Sequence, residues 1–269
     1  MKIGKYLAVV SIAIAQAKAA RAAFVGRLAF YALLLVMYAR IWHMVGAHGP
    51  LGGFGHGDLI WYLAVTEWIA LSQPAIVSEI EADIRSGNIA YFLPRPISYL
   101  WLRISEAVGT LLVRMLGLGV FGCGLSFLLT RAAAGSGTGL PSGGLPALIC
   151  GALTAVVAAT LNLIFCAIIG LCAFFLEDTS PIYWVWQKLS FVFGGLMFPL
   201  DMYPGPMRAI ADLTPFPSLL YGPGRIAVGA EPAFIGHTVM VLAGWTVFGV
   251  LAARFAFRRA LKALEVNGG

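Results

Sequence analysis

Two charged residues stand alone inside long apolar runs, and they are the first candidates for chemistry: Glu67 in GDLIWYLAVTEWIALS and Arg114 in ISEAVGTLLVRMLGLGV. A charge at the centre of a membrane costs about 2.5 to 3.5 kcal/mol on insertion scales, so one that persists is a functional candidate by default. If each run is a membrane-crossing helix, Glu67 lies ten residues before Val77 and Arg114 ten after Ile104. At about 1.5 Å per residue, both sit near 15 Å deep from the same side. Matched depths on adjacent antiparallel helices predict that Glu67 and Arg114 face each other or line a central path. A purely structural ion pair is the competing reading.

Other reactive side chains do not gather. His43, His48 and His56 flank or occupy one loop with only Asp58 near, a spacing that fits no standard metal site. Cys123, Cys150, Cys166 and Cys172 fall inside apolar runs without paired Cys-x-x-Cys spacing or histidine neighbours, which makes them small buried hydrophobes. A membrane-embedded enzyme wants a clustered nucleophile and base, or several carboxylates on a metal. Here the acidic residues within apolar runs are single and His237 is isolated. No G-x-x-x-x-G-K-[ST] phosphate loop occurs, and Gly135 to Gly139, GSGTG, has no following Lys and no preceding strand. The chain is not expected to hydrolyse ATP, to bind a cofactor or to hold a metal.

The elements that position these residues follow from composition. Of 269 residues, 60% are hydrophobic and only 11% charged, against about 25% charged in soluble domains. Mean hydropathy is +0.87. The apolar residues come in blocks of about twenty, the length of a helix that crosses a hydrocarbon core about 30 Å thick, so an all-α integral membrane domain over 1–269 is predicted rather than a barrel. Six spans are placed at about Ala22 to Val45, Gly57 to Val77, Ile104 to Thr130, Pro146 to Leu176, Ile182 to Leu200 and Phe234 to Phe255. The fourth is overlong, so tilt or an interfacial turn is expected. Residues 1–21 imitate a secretory signal, but Lys18, Arg21 and Arg27 precede the next apolar run, which fits a helix lying along the inner interface. Segment 201–230, broken by Pro and Gly, reads as a pair of short half-buried helices re-entering from the outer side.

Orientation comes from the basic residues. Lys5, Lys18, Arg85, Arg95, Arg103 and Arg258 share one side with most of the others, whereas Arg40, Arg131, Arg208 and Arg225 fall opposite. The net charge of +6 therefore marks the cytoplasmic face rather than a nucleic-acid partner. Trp42, Trp61, Trp68, Trp101, Trp184, Trp186 and Trp245 lie mostly near span ends and read as interfacial anchors.

One markedly polar island, SEIEADIRSGNIAYFLPRPISY at 78–99, interrupts this pattern on the cytoplasmic side. Ser78 and Glu81 form an S-x-x-E capping box. Ile76, Ile80 and Ile84 make an apolar stripe beside the acidic stripe of Glu79 and Asp83, and Glu81 precedes Arg85 by four, the favourable order for a helical ion pair. Gly87 and Asn88 end the helix, and Pro94-Arg95-Pro96 stiffens the exit. A short amphipathic helix with a rigid exit is a docking element, able to transmit a push.

This island resembles the cytoplasmic coupling segment of permease subunits of type-2 ATP-binding-cassette transporters, in the branch of roughly 260-residue permeases. Further likeness lies at Phe174 to Asp178 (FFLED), at Gly194 to Asp201 (GGLMFPLD), at Pro215-Phe216-Pro217 with Tyr221, and at Glu265 to Gly269. The resemblance implies a six-span permease with an interfacial helix at 1–21, a coupling segment at 78–99 and re-entrant helices at 201–230. It implies pairing with an identical or sister permease in the lipid of a bacterial cytoplasmic membrane, with both termini cytoplasmic. Separate nucleotide-binding ATPase subunits would hold the ATP and Mg and drive export. The family's coupling contact carries over onto Glu79, Ile80, Asp83, Ile84 and Arg85. An ion-gradient-driven transporter is the alternative, but two related halves are not evident; a membrane-embedded enzyme is a further one.

Overall fold

Apolar blocks become helices because backbone in lipid must satisfy its own amides and carbonyls. The computed structural model describes residues 3–19, 21–45, 52–92, 94–95, 97–134 and 138–267. The helices are α1 (Ile3–Ala19), α2 (Arg21–Val45), α3 (His56–Ser72), α4 (Ile76–Arg85), α5 (Ile89–Phe92), α6 (Tyr99–Ala134) and α7 (Gly144–Leu171). They continue with α8 (Ser180–Phe193), α9 (Gly205–Asp212), α10 (Phe216–Leu219), α11 (Tyr221–Ala227) and α12 (Pro232–Asn267).

Among the described residues, five stretches are long and apolar enough to cross a membrane: α2, α3 with the α4 that follows it, α6, α7 and α12. The buried share of the apolar window separates them into layers. It is 72% for the α3 stretch and 67% for α7, against 11% for α2 and 17% for α12. α3 and α7 are therefore the core, and α2 and α12 present apolar faces outward. α1 lies against α6 at Gly109, where an added Cβ would come within 2.6 Å of the Ala13 Cβ and 2.7 Å of the Val10 carbonyl. α7 ends in a 3-10 turn, Cys172–Phe174, the turn expected of an overlong span.

The second span ends earlier than hydropathy suggests. α3 stops at Ser72, and Gln73 is already extended, with ψ 130°. Pro74 follows and cannot donate a backbone hydrogen bond. The carbonyls freed at this end are covered by two guanidinium groups: Arg27 of α2 donates to Leu71 O and Arg114 of α6 to Gln73 O, both at 2.7 Å. Cations at a helix C-terminus also suit its dipole.

The expected fifth span is corrected more strongly. α8 has 14 residues, about 21 Å of helix against a core about 30 Å thick. Gly194 and Gly195 stop it, with Gly195 at φ +67°. The turn beyond is held by span two: Tyr62 donates its hydroxyl to Gly195 O and Thr66 donates to Leu196 O at 2.7 Å. Hydropathy runs through the Gly-Gly break because glycine and the Leu-Met-Phe that follow keep the window apolar.

Segment 201–230 forms α9, α10 and α11 rather than a pair of helices, and α11 is buried rather than half-buried. Its small residues allow this. A Cβ on Gly224 would meet the Tyr62 ring at 2.8 Å, and one on Gly151 of α7 would meet Ala227 at 2.5 Å. Ser142 and Gly143 of the preceding loop then donate to Val228 O at 2.7 and 3.2 Å, and Asp58 accepts from the Ser142 amide at 2.8 Å. The α11 end of the bundle thus lies opposite the α4 end.

Replacing Gly224 by Val should overpack the α3–α11 seam and cost about 1–3 kcal/mol, read as a lowered Tm in detergent. Gly244→Ala, where an added Cβ meets nothing within 4 Å, should stay within about 0.5 kcal/mol of the parent. Equal effects would contradict the seam.

Candidate functional site

The α4 end is built on Ile80. Its side chain is fully buried, and a Cβ added to Gly170 of α7 would approach the Ile80 Cβ to 3.0 Å. Gly170 thereby lets α4 lie close across the end of α7. The helix begins at Ile76 with Ala75 at the N-cap, two residues before the start expected at Ser78. Ser78 donates back to Ala75 O at 2.9 Å, so the expected capping box does not form.

Glu81 is used differently. It pairs with Arg85 at 3.2 Å, as the spacing predicts, and it accepts from the Thr179 hydroxyl and, at 3.3 Å, from the Thr179 amide. Thr179 immediately precedes α8. There the Ser180 hydroxyl and amide hold the exposed Asp178 carboxyl below its ordinary range, with the amide at 2.9 Å.

Asp83 is the second anchor, and its placement corrects the sequence reading. It does not continue an exposed acidic stripe with Glu79; it is 7% exposed and faces α6. Arg103 approaches its Oδ2 through Nε at 2.7 Å and Nη2 at 2.5 Å, and Tyr99 donates its hydroxyl to the same oxygen at 2.7 Å. The remaining Arg103 nitrogen, Nη1, reaches Glu106 at 2.7 Å. The guanidinium also lies over the Phe92 ring, 5.2 Å from its centroid. Charge-assisted bonds of this kind are stronger than neutral ones, and removing one partner would leave the other charge buried and uncompensated.

What remains outward is a different set of residues. Glu79, Ala82 and Arg85 of α4 are exposed, Ile84 is partly buried, and Gly87 ends the helix at φ +72°. Beyond it Ser86, Asn88, Ala90 and Tyr91 are exposed, with Tyr91 at 75%. Of the expected contact residues, the fold presents Glu79 and Arg85 and turns Ile80 and Asp83 inward. Tyr91 was missed, although an aromatic beside a Gly-Asn helix stop was a readable signal. In the expected rigid exit, Leu93 and Pro96 lie outside the described residues, while Arg95 sits 4.9 Å from the centroid of the Phe92 ring.

Glu67 and Arg114 are not brought together as a pair. Arg114 is bound to the Gln73 carbonyl, six residues beyond Glu67 and about 9 Å along the chain axis. Span two ends sooner than its hydropathy, so the two depths no longer match. Glu67 instead lines a cavity of about 430 Å³ between α2, α3 and α8, and Arg114 does not.

At the opposite end Asp201 joins α9 and α11. It lies 3.3 Å from Arg208 and 3.6 Å from Arg225 and accepts the Tyr221 hydroxyl at 2.8 Å. The tryptophans also differ from expectation. Trp61 and Trp42 are buried, Trp61 donates to Gly139 O at 3.1 Å, Trp68 to Met115 O at 2.7 Å and Trp186 to Asn162 Oδ1 at 3.0 Å. An indole N–H in lipid needs an acceptor, and Trp61, Trp68 and Trp186 find one, whereas the buried Trp42 Nε1 has none among the described residues; Trp184 remains largely exposed. The His43 and His56 rings meet edge to face with centroids 6.1 Å apart, while His48 lies outside the described residues.

No curated protein matches the chain. A family model described as ABC-2 family transporter protein matches residues 28–268. That stretch contains the α4 anchors, Glu67 and the buried α11, and covers nearly the whole sequence: the chain belongs to the ABC-2 family of transporter proteins, as a multi-pass membrane component.

Proposed function

We propose that the chain is the permease subunit of an ATP-driven exporter in a bacterial cytoplasmic membrane. Separate ATPase subunits, which bind the ATP and Mg, dock on the outward face of α4 and α5. The observation that carries this reading is the asymmetry of that corner. Its inner face is fastened to α6 through Asp83–Arg103 and to the start of α8 through Glu81–Thr179, while its outer face offers Glu79, Arg85 and Tyr91 unburied. A push on α4 then moves two other helices as a unit. Tyr and Arg at the centre of a small charged patch are the residue types that dominate binding energy at interfaces.

The sixth crossing of this reading consists of α8 with the non-helical turn and short 3-10 segment at 194–203 and the buried α11. The chain enters α8 at the α4 end and enters α12 at the other, so it traverses the bundle without a continuous helix. Both termini then lie on the cytoplasmic side with α4, together with the larger share of Lys and Arg. The apolar outer faces of α2, α8 and α12, with Leu33, Val185 and Met240 among their exposed residues, suit lipid and a second permease, identical or sister. A gradient-driven transporter would have no use for the anchored, outward-facing α4.

Two measurements test this. Glu79→Lys combined with Tyr91→Ala should reduce co-purification of the nucleotide-binding partner at least tenfold, in line with about 2 kcal/mol for an interface centre, without lowering the permease Tm. Undiminished capture would remove this face from the docking surface. Arg103→Met leaves Asp83 buried and unpaired and should cost about 3–5 kcal/mol. The Asp83→Asn, Arg103→Met double variant should recover part of that loss, and strict additivity of the two changes would rule out the anchor.

A further inference from the structure

Glu67 is 3% exposed, and among the described residues its carboxylate has no hydrogen-bond or ion-pair partner. The two nearby guanidinium groups are committed to the backbone carbonyls of Leu71 and Gln73. A buried carboxylate without a partner is stabilised either by taking up a proton or by a positive charge from outside the chain, and the cavity gives such a charge room. It lines the 430 Å³ cavity, a volume in the range of small-molecule sites.

The other walls narrow the ligand. Phe30, Leu34, Phe191 and Leu196 make them largely apolar and aromatic, with the Gln187 side chain as a neutral polar group. A narrower crevice continues behind, sharing Gln73, Tyr183 and Gln187, and holds Ser190, whose buried hydroxyl has no partner among the described residues. One carboxylate cannot replace the six to eight oxygens a calcium-like ion takes, nor the hydration of a compact cation. Aromatic faces and apolar walls favour a cation whose charge is spread over a hydrophobic body. Arg27 lines the same cavity, but its bond to Leu71 O places it one helical turn from Glu67 toward the α4 end. The negative charge is thus the deeper of the two.

We propose that this cavity is a binding site for lipophilic organic cations, with Glu67 as the counter-charge. The proposal rests on the permease reading for its physiological meaning and names the substrate class of that path.

The test uses the purified full-length chain in detergent and titration calorimetry with tetraphenylphosphonium, with tetraphenylborate as its anion of matched shape. The phosphonium should bind at least tenfold more tightly than the borate. Glu67→Gln should lose at least tenfold in phosphonium affinity and change borate affinity little. Ala70→Phe keeps the carboxylate and fills the cavity; it should weaken phosphonium binding whether or not the first variant folds. Equal binding of the two probes by the parent, or full phosphonium affinity in Ala70→Phe, would overturn the site. Loss of the site alongside intact ATPase capture defeats only this inference, whereas phosphonium binding without any ATPase partner defeats the permease reading.

Discussion

Everything at the α4 end depends on one buried ion pair, Asp83 with Arg103, closed by the Tyr99 hydroxyl. A ten-residue helix has little stability of its own, since isolated helices below about 12–15 residues are marginal. Tertiary contacts must hold it. Ile80 against Gly170 fixes how near α4 comes to α7, Asp83 fixes it to α6, and Glu81 fixes it to the residue that starts α8. With three sides fastened, α4 cannot yield locally, and displacement of its free face moves whole helices.

The same demand for satisfied polar groups shapes the interior. Wherever a helix breaks at membrane depth, another helix supplies the missing partner. Arg27 and Arg114 cover the end of α3, Tyr62 and Thr66 cover the extended turn after α8, and Trp61 reaches the Gly139 carbonyl. Arg114 therefore serves the backbone rather than the Glu67 carboxylate. The consequence is functional: because both nearby cations are occupied elsewhere, Glu67 remains available to the cavity between α2, α3 and α8.

Much of this was legible from residue order. The long apolar blocks gave most of the crossing helices, Gly87 gave the stop of α4, and the i to i+4 spacing gave the Glu81–Arg85 pair. What escaped was decided by partners distant in sequence. Glu79 and Asp83 are one turn apart and look equivalent, yet only Asp83 lies where α6 crosses, so one is exposed and the other buried. Thr179 lies 98 residues from Glu81, beyond the reach of any local pattern. The end of span five escaped because a hydropathy window averages over Gly194 and Gly195, whereas the backbone responds to them individually. The inward tryptophans escaped because an amphipathic ring suits an interface or a helix seam equally well until the neighbours are known.

The central claim is that the free face of α4 and α5 looks toward the compartment where ATPases reside. Cysteine placed at Ala82 or Ala90, in a chain whose four native cysteines are replaced, reports this directly in intact cells. A membrane-impermeant maleimide added outside should leave both positions unlabelled, and should label them once the cells are opened. Labelling in unopened cells would put the anchored helix on the wrong side of the membrane and contradict the account.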